Sequence, residues 1–157
     1  MANLQEMISA YLDGPKTLRK AVAGMTREQA AAKPVAGKWS TLEVVCHLAD
    51  FDPILADRMK RVIAEDKPQL IGADENRFAA ALAYADRDLE EELTIIEKTR
   101  QQMARILKKL PPQALSRTGL HNERGELSLE KLLTTTTNHI SHHVKFIEEK
   151  RKALGLK

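Results

Sequence analysis

The sequence predicts an all-α protein, a four-helix bundle that forms a single domain over residues 1–157. Three observations support this fold class. Apolar residues recur every three or four positions in four segments, as they do in helices that bury one face. Residues that typically start and stop helices flank these segments. Strand signals are nearly absent, because aromatic residues make up only 4% of the chain and apolar and polar residues do not alternate.

The first predicted helix runs from about Leu4 to Ala23. Gly14 and Pro15 interrupt it, which indicates a kink or a late start. A short helical turn follows at residues 26–29, which have the form of a capping box. The apolar positions of the first helix are Met7, Ile8, Leu12, Leu18 and Val22.

The second helix has the strongest start signal in the chain. Ser40 and Glu43 form a capping box, and Trp39 and Val44 are placed to form a hydrophobic staple. The Asp-Lys-Pro sequence at residues 66–68 ends the helix, and an Asp-Pro pair at residues 52–53 indicates a bend within it. Its apolar stripe reads Val44, Leu48, Phe51, Leu55, Met59 and Val62.

The third helix is predicted to begin near Asp74 and to continue to Leu110, where Pro111 and Pro112 stop it. Its charged residues are interpreted as a solvated face. Its apolar positions are Phe78, Leu82, Leu89, Leu93, Ile96, Met103 and Leu107.

The fourth helix is predicted to begin after Gly125, with Ser128 as its N-cap, and to end near Ala153, just before Gly155. The connection that precedes it, residues 111–126, is long. Connections of that length in compact domains are usually functional or ordered by contacts. Periodicity does not decide which of the four helices are neighbours.

Composition narrows the classes of function. The net charge of +3 comes from 25 basic and 22 acidic residues that are well mixed, so we expect no nucleic-acid partner. The lone Cys46 cannot form an internal disulfide, which favours a reducing compartment. No apolar run approaches the ~20 residues of a membrane span, and the first residues do not resemble a signal peptide. We therefore expect a cytoplasmic protein that binds a small molecule and no membrane; a homodimer is open.

The histidine pattern predicts a metal site. His139 and His143 are four positions apart, so they lie one helical turn apart on nearly the same face. His47 occupies an equivalent edge of the second helix, whereas His142 points away from the apolar stripe. Three imidazoles converging in a groove would leave one coordination position open, as in catalytic zinc sites. The alternative is a set of hydrogen-bonded histidines without a metal.

Several segments together resemble the DinB-like (YfiT-like) metalloenzyme family, in the right order and over nearly the whole chain. These segments are residues 38–40, 43–50, 56–58, 83–90, 121–125 and 139–147. The resemblance implies a four-helix bundle that holds a divalent metal through three histidines, which carry over to His47, His139 and His143. The family commonly has an acidic residue directly after the first histidine of the last segment, and Ile140 stands there instead.

The resemblance also bears on activity. The family includes thiol S-transferases that use low-molecular-weight thiols, and a thiol-dependent isomerase. Our first hypothesis is therefore a metal-dependent enzyme of the thiol S-transferase or hydrolase type. The alternative is a non-catalytic metal-binding or stress-response module. Zn²⁺, Ni²⁺, Fe²⁺ and Co²⁺ all suit three imidazoles, so the identity of the metal stays open.

Other polar residues are weaker candidates for the site. His121, in the long connection, is a candidate acid/base or substrate contact, with a loop hydrogen bond as the alternative. Asp50 could accept a hydrogen bond from a ligating imidazole, or pair with a basic residue. Arg58 could bind an acidic substrate, although a surface ion pair is the favoured interpretation. Cys46 is interpreted as structural, and the threonines at residues 134–137 could line a polar pocket beside His139.

Overall fold

The computed structural model describes residues 3–157. The predicted four-helix bundle is confirmed, and shorter helices and strands lie in the connections between its long helices. The helices are α1 (Leu4–Val22), α2 (Arg27–Ala31), α3 (Thr41–Ala64), α4 (Glu75–Ala81), α5 (Leu89–Leu107) and α6 (Leu129–Ala153). The strands are β1 (Gln69–Leu70), β2 (Thr118–His121) and β3 (Gly125–Ser128). None of the described helices is long and apolar enough to cross a membrane.

The four long helices pack in a defined order. Helices α1 and α3 each pack against both α5 and α6, so α1 and α3 occupy opposite corners of the bundle. Two large apolar clusters fill the space between them, one around Met59 and Leu133 and the other around Leu48 and Ile140. This arrangement sets the faces of α3 and α6 against each other, which brings their histidines together.

The predicted capping residues start their helices. The Ser40 hydroxyl accepts the backbone N–H of Glu43 at 3.1 Å, and the Ser128 hydroxyl accepts that of Lys131 at 3.1 Å. The capping box at Thr26 is also confirmed. Helix α1 runs from Leu4 without a break at Pro15, so the predicted late start is wrong.

The prediction of one continuous third helix from Asp74 to Leu110 is wrong. Asp74 caps the short α4, Ala83 adopts a left-handed conformation with φ 52°, and a 3-10 turn follows. Helix α5 then begins after Asp88, whose side chain accepts the backbone N–H of Glu91 at 2.9 Å. The helical spacing of apolar residues in the sequence does not reveal this break. Phe78 before it and Leu89 after it are both apolar because both pack on the small cluster around Tyr84. The break turns α4 over α3.

A three-stranded sheet lies in connections that the sequence analysis left without strands. β1 pairs in parallel with β2, and β2 forms an antiparallel hairpin with β3. Gly119 allows this packing, because a Cβ atom there would lie 2.9 Å from side-chain atoms of Leu70 and Val62. Strands of two to four residues are too short for alternation to be recognised. The sheet places His121 on the wall of a cleft that His47 and His139 also line.

Charge lies inside the bundle as well. Arg100 on α5 and Asp52 on α3 are fully buried, with Arg100 Nη2 2.9 Å from Asp52 Oδ1. Arg100 also donates to the backbone oxygens of Tyr11 and Thr136, each at 2.8 Å. Gly14 makes room for it, since a Cβ atom there would lie 2.5 Å from Arg100 Nη1. The interpretation of all charges of the third helix as solvated is therefore wrong for Arg100.

Candidate metal centre and its cleft

Three histidines meet where α3 packs against α6. One ligand atom from each of His47, His139 and His143 can be chosen so that all lie within 4.8 Å of one another. The Nε2 atoms of His47 and His139 are 3.1 Å apart. The ring centroids form a nearly equilateral triangle with sides of 5.0, 4.6 and 4.7 Å. These are the three residues that the histidine spacing and the family resemblance predict as metal ligands.

The helices account for this convergence. His139 and His143 lie one turn apart on α6, and their neighbours Ile140 and Val144 are buried in the bundle core. His47 faces them from α3 and is only 1% exposed. His142 is exposed, as its position on the helical wheel predicts, although its ring stacks edge-on against that of His143.

The donor set and its spacing fit a divalent metal. In a tetrahedral site with Zn–N distances near 2.1 Å, neighbouring nitrogens are about 3.4 Å apart, a few tenths of an ångström more than the observed 3.1 Å. Burial lowers the pKa of His47 to about 4, of His139 to about 3 and of His143 to about 4. The imidazoles are therefore neutral at pH 7 and keep the lone pairs that ligation requires.

Two of these imidazoles lack, within the described chain, the hydrogen-bond acceptors that usually orient metal-bound histidines. The Nδ1 atoms of His47 and His139 are buried and have no hydrogen-bond partner in the described part of the chain. Asp50 does not act as their acceptor, because both of its carboxylate oxygens bind Arg87, at 2.7 and 3.1 Å. Ile140 is buried in the core where the family commonly has an acidic residue. Orientation of the rings therefore depends on packing rather than on the carboxylates that commonly support metal-bound histidines.

Aromatic rings provide that packing. The ring of Phe51 lies 4.7 Å from that of His47, and the ring of Trp39 lies 5.4 Å from it on a tilted contact. Trp39 also packs on the apolar cluster that contains Val44, as the predicted staple requires. These contacts restrict the rotation of the imidazole without forming hydrogen bonds.

His47 and His139 lie on the wall of a cleft of about 950 Å³. One wall is α3, on which Phe51, Leu55 and Arg58 follow His47 along one face. The opposite side comes from the segment that leads into α4 and from the β2–β3 hairpin. The other lining residues are Gly72, Ala73, Asp74, Glu75, Asn76, Arg77, Phe78, His121, Glu123, Arg124 and Thr135.

His121 lines this cleft and also holds the hairpin. Its Nδ1 atom accepts the backbone N–H groups of Glu123 and Arg124, at 3.1 and 3.2 Å. Burial and the nearby charge of Arg58 lower its pKa. The hydrogen bonds assign the proton of the neutral ring to Nε2, which leaves a donor and not a base.

Arg58 does not form the surface ion pair that the sequence analysis favoured. It is only 9% exposed, and its Nη2 donates to the backbone oxygen of Ile71 at 2.8 Å. Its Nε is buried and has no hydrogen-bond partner among residues 3–157. The β2–β3 hairpin and β1 cover α3 at this point. Because these strands were not predicted from the sequence, the burial of Arg58 could not be predicted either.

Glu75 is a polar residue at the site that sequence reasoning missed. Its Oε2 atom is 3.7 Å from Nε2 of His47, and its side chain is 54% exposed at the edge of the cleft. In the predicted long third helix, Glu75 lies in the first turn and is one acidic residue among several. Only the break after α4 turns it towards α3.

Cys46 and the threonine run have mainly structural contacts. The Cys46 thiol lies 3.6 Å from the backbone oxygen of Tyr84, and burial raises its pKa to about 12. It is therefore a protonated, buried thiol. Thr134, Thr136 and Thr137 donate to carbonyl oxygens one turn earlier in α6, while Thr135 lines the cleft.

Comparison with known proteins agrees with this fold. A protein of Oceanobacillus iheyensis named "putative metal-dependent hydrolase" is 30% identical over 144 residues, which cover 92% of this chain and 83% of that protein. The solved structure of YfiT from Bacillus subtilis superimposes with a TM-score of 0.90 at 24% identity, over 98% of this chain and 89% of YfiT. A second four-helix bundle protein of known crystal structure gives a TM-score of 0.66 at 22% identity, over 94% and 99% of the two chains.

The family assignment follows from the sequence itself. The model of the DinB superfamily matches residues 10–147, which include α3, α6 and all three clustered histidines. The match confirms the resemblance seen in the sequence segments. This chain belongs to the DinB superfamily.

Proposed function

We propose that this protein is a metal-dependent hydrolase that acts on a small molecule bound in the cleft, with a divalent ion held by His47, His139 and His143. The observation that supports it best is the position of two of these neutral imidazoles on the wall of an open cleft of about 950 Å³. The relative from Oceanobacillus iheyensis carries a hydrolase name, which agrees with this choice.

The ion would supply Lewis-acid activation of water or of a substrate oxygen. Three imidazoles suit Zn²⁺, Ni²⁺, Fe²⁺ or Co²⁺, and three protein ligands leave room for a further ligand. The described residues around the cluster offer no cysteine or carboxylate within the same group. The histidines alone are therefore proposed as the ligands.

The chain contributes positioning and proton handling. His121 Nε2–H is proposed as a donor to a substrate oxygen, because Nδ1 is already occupied by two backbone N–H groups. Glu75 is exposed at the cleft edge next to His47, where a carboxylate can accept a proton from an attacking water. Phe51 and Leu55 give the cleft an apolar wall that orients the substrate.

A thiol S-transferase is the second candidate, and the size of the cleft favours it. A volume of about 950 Å³ is at the upper end of the range for small-molecule sites, so a thiol and an electrophile could bind together. The thiol would come from the cosubstrate, since Cys46 is buried and protonated at neutral pH. A reducing cytoplasm, which the lone cysteine favours, would keep such a thiol available.

One experiment distinguishes the two activities from a non-catalytic module. The purified protein is stripped of metal with a chelator and reloaded separately with Zn²⁺, Ni²⁺, Co²⁺ and Fe²⁺. Hydrolysis of p-nitrophenyl acetate and transfer of a low-molecular-weight thiol to chlorodinitrobenzene are then measured. We expect a metal-dependent rate in one assay that His143→Ala abolishes and His142→Ala preserves. Metal binding without either activity would favour the non-catalytic module instead.

A further inference from the structure

Arg58 is a buried cation without a buried anion. It is 9% exposed, yet no carboxylate of the described chain lies within 4.0 Å of its guanidinium. Among residues 3–157, its one hydrogen-bond partner is the backbone oxygen of Ile71, and Nε has none. Arg100 shows what a satisfied buried arginine looks like here, since it bonds both oxygens of Asp52 and two backbone oxygens. Burying charge in this state is costly, which makes the site unusual.

The position of Arg58 relates it to the histidine cluster. Arg58 follows His47 by eleven residues on α3, and both line the same cleft. At about 1.5 Å per residue, their Cα atoms are about 16 Å apart along the helix. Phe51 and Leu55 occupy the interval on the same wall. A ligand that reaches both ends of this row is therefore elongated, with an apolar middle.

The surrounding charges indicate how much negative charge this end of the cleft can accept. Arg124 and Glu123 both lie close enough to Arg58 to shift its pKa, in opposite directions. Asp57 also lies close enough to raise the pKa of Arg58, so Glu123 and Asp57 together offset the charges of Arg124 and Arg58 and leave little net positive charge at this end of the cleft. A singly charged carboxylate balances this better than a doubly charged phosphate does.

We propose that Arg58 binds a terminal carboxylate of the substrate, several bonds away from the group that reacts at the histidine cluster. This assignment rests on the proposed function, and it narrows the substrate class to elongated molecules with an apolar middle and a carboxylate end. Arg58 is a specificity-determining residue in this scheme, because it contacts the substrate and not the reacting bond.

Binding of matched acids tests the proposal. Metal-loaded protein is titrated by calorimetry with hexane-, octane- and decanedioate and with the monomethyl ester of each. Every probe has one carboxylate that can bind the metal. A diacid and its monomethyl ester therefore differ only at the other end, which is a carboxylate in the diacid and an ester in its partner. We expect one chain length to bind best, and its diacid to bind about tenfold or more tightly than its ester. Arg58→Gln should abolish that preference, and Arg58→Lys should retain part of it.

Controls separate this proposal from its alternatives. Arg77→Gln, a cleft arginine whose side chain is 88% exposed, should leave the preference unchanged. Metal affinity is measured on every variant, and failure of the wild type to bind metal would count against the proposed function alone. In that event, the affinities of metal-free protein for hexanoate and for hexanamide are compared, which tests directly whether Arg58 prefers a carboxylate. If Arg58→Gln lowers the melting temperature but keeps the preference for carboxylate, Arg58 only anchors Ile71 and the proposal is overturned.

Discussion

The Nε2 atoms of His47 and His139 lie 3.1 Å apart, although 92 positions separate the two residues in the chain. No carboxylate of the described chain lies within hydrogen-bond distance of either nitrogen, since Glu75 Oε2 is 3.7 Å from Nε2 of His47, and Nδ1 of both rings is buried without a partner there. The contact between α3 and α6 therefore places the two rings. Two neutral imidazoles at this distance can share an N–H···N hydrogen bond, or both can ligate one cation, as the proposed function requires.

Removal of one proposed ligand should weaken metal binding strongly. We expect His143→Ala to reduce the affinity for Zn²⁺ by more than about 100-fold, because loss of a ligand costs more than loss of an outer hydrogen bond to one. Isothermal calorimetry with a competing chelator measures this. His142→Ala, next to it on the exposed face, should change the affinity little. Equal affinities for the two variants would remove His143 from the site.

The stability of the metal-free protein should fall as the pH is lowered from about 6.5 to about 4. The folded-state pKa values of His47 and His143 are about 4 and that of His139 is about 3, whereas unfolded histidine titrates near 6.5. In this window the unfolded chain binds more protons, so the free energy of unfolding rises with pH. Each histidine contributes about 1.4 kcal/mol per pH unit where only the unfolded chain is protonated.

Urea unfolding between pH 7 and pH 5 measures this slope. His143→Gln should reduce the slope of the free energy of unfolding against pH by the contribution of one histidine, whereas His142→Gln should leave this slope unchanged. A free energy of unfolding that is as large at pH 5 as at pH 7 would contradict burial of the three neutral rings.

Chelation should leave the helical fold in place. Two apolar clusters pack the bundle independently of the histidines, so the metal is not needed to form the core. Saturation at 100 times the dissociation constant should raise the free energy of unfolding by about 2.7 kcal/mol. Circular dichroism melts with and without chelator check both statements. Loss of the helical signal on chelation at 25 °C would favour a structural metal, as in the non-catalytic alternative.

The buried ion pair should tolerate loss of both charges better than loss of one. Asp52→Leu leaves the guanidinium of Arg100 uncompensated inside the bundle, and we expect it to cost about 3–5 kcal/mol. Adding Arg100→Met should recover part of that loss, because no unpaired charge is then buried. Urea midpoints of the two variants test this. A double variant less stable than Asp52→Leu would show that the bonds from Arg100 to Tyr11 and Thr136 matter more.

The error in the third helix shows what periodic patterns leave out. Phe78 and Leu89 continue an apolar spacing, yet they belong to separate helices that pack on one small cluster. Asp74 and Asp88 are both N-caps, and only the first was recognised as a start. In the sequence, Asp88 resembles an ordinary charged residue on an exposed helix face. Only the structure shows that Ala83 and the 3-10 turn interrupt the helix before it.

Local periodicity and recognisable segments are sufficient to predict α1, α3 and α6, the Ser40 and Ser128 caps, the family and the spacing of His139 and His143. They do not show where α5 begins, because the apolar spacing continues across the break between α4 and α5. Only the contacts between distant elements show that Arg58 and Arg100 are buried and what surrounds them. Whether a charged side chain is solvated, paired or buried beside a cleft depends on elements distant in the chain. Local patterns carry no information about those contacts, and the cleft exists only because α4 and the β2–β3 hairpin fold back over α3.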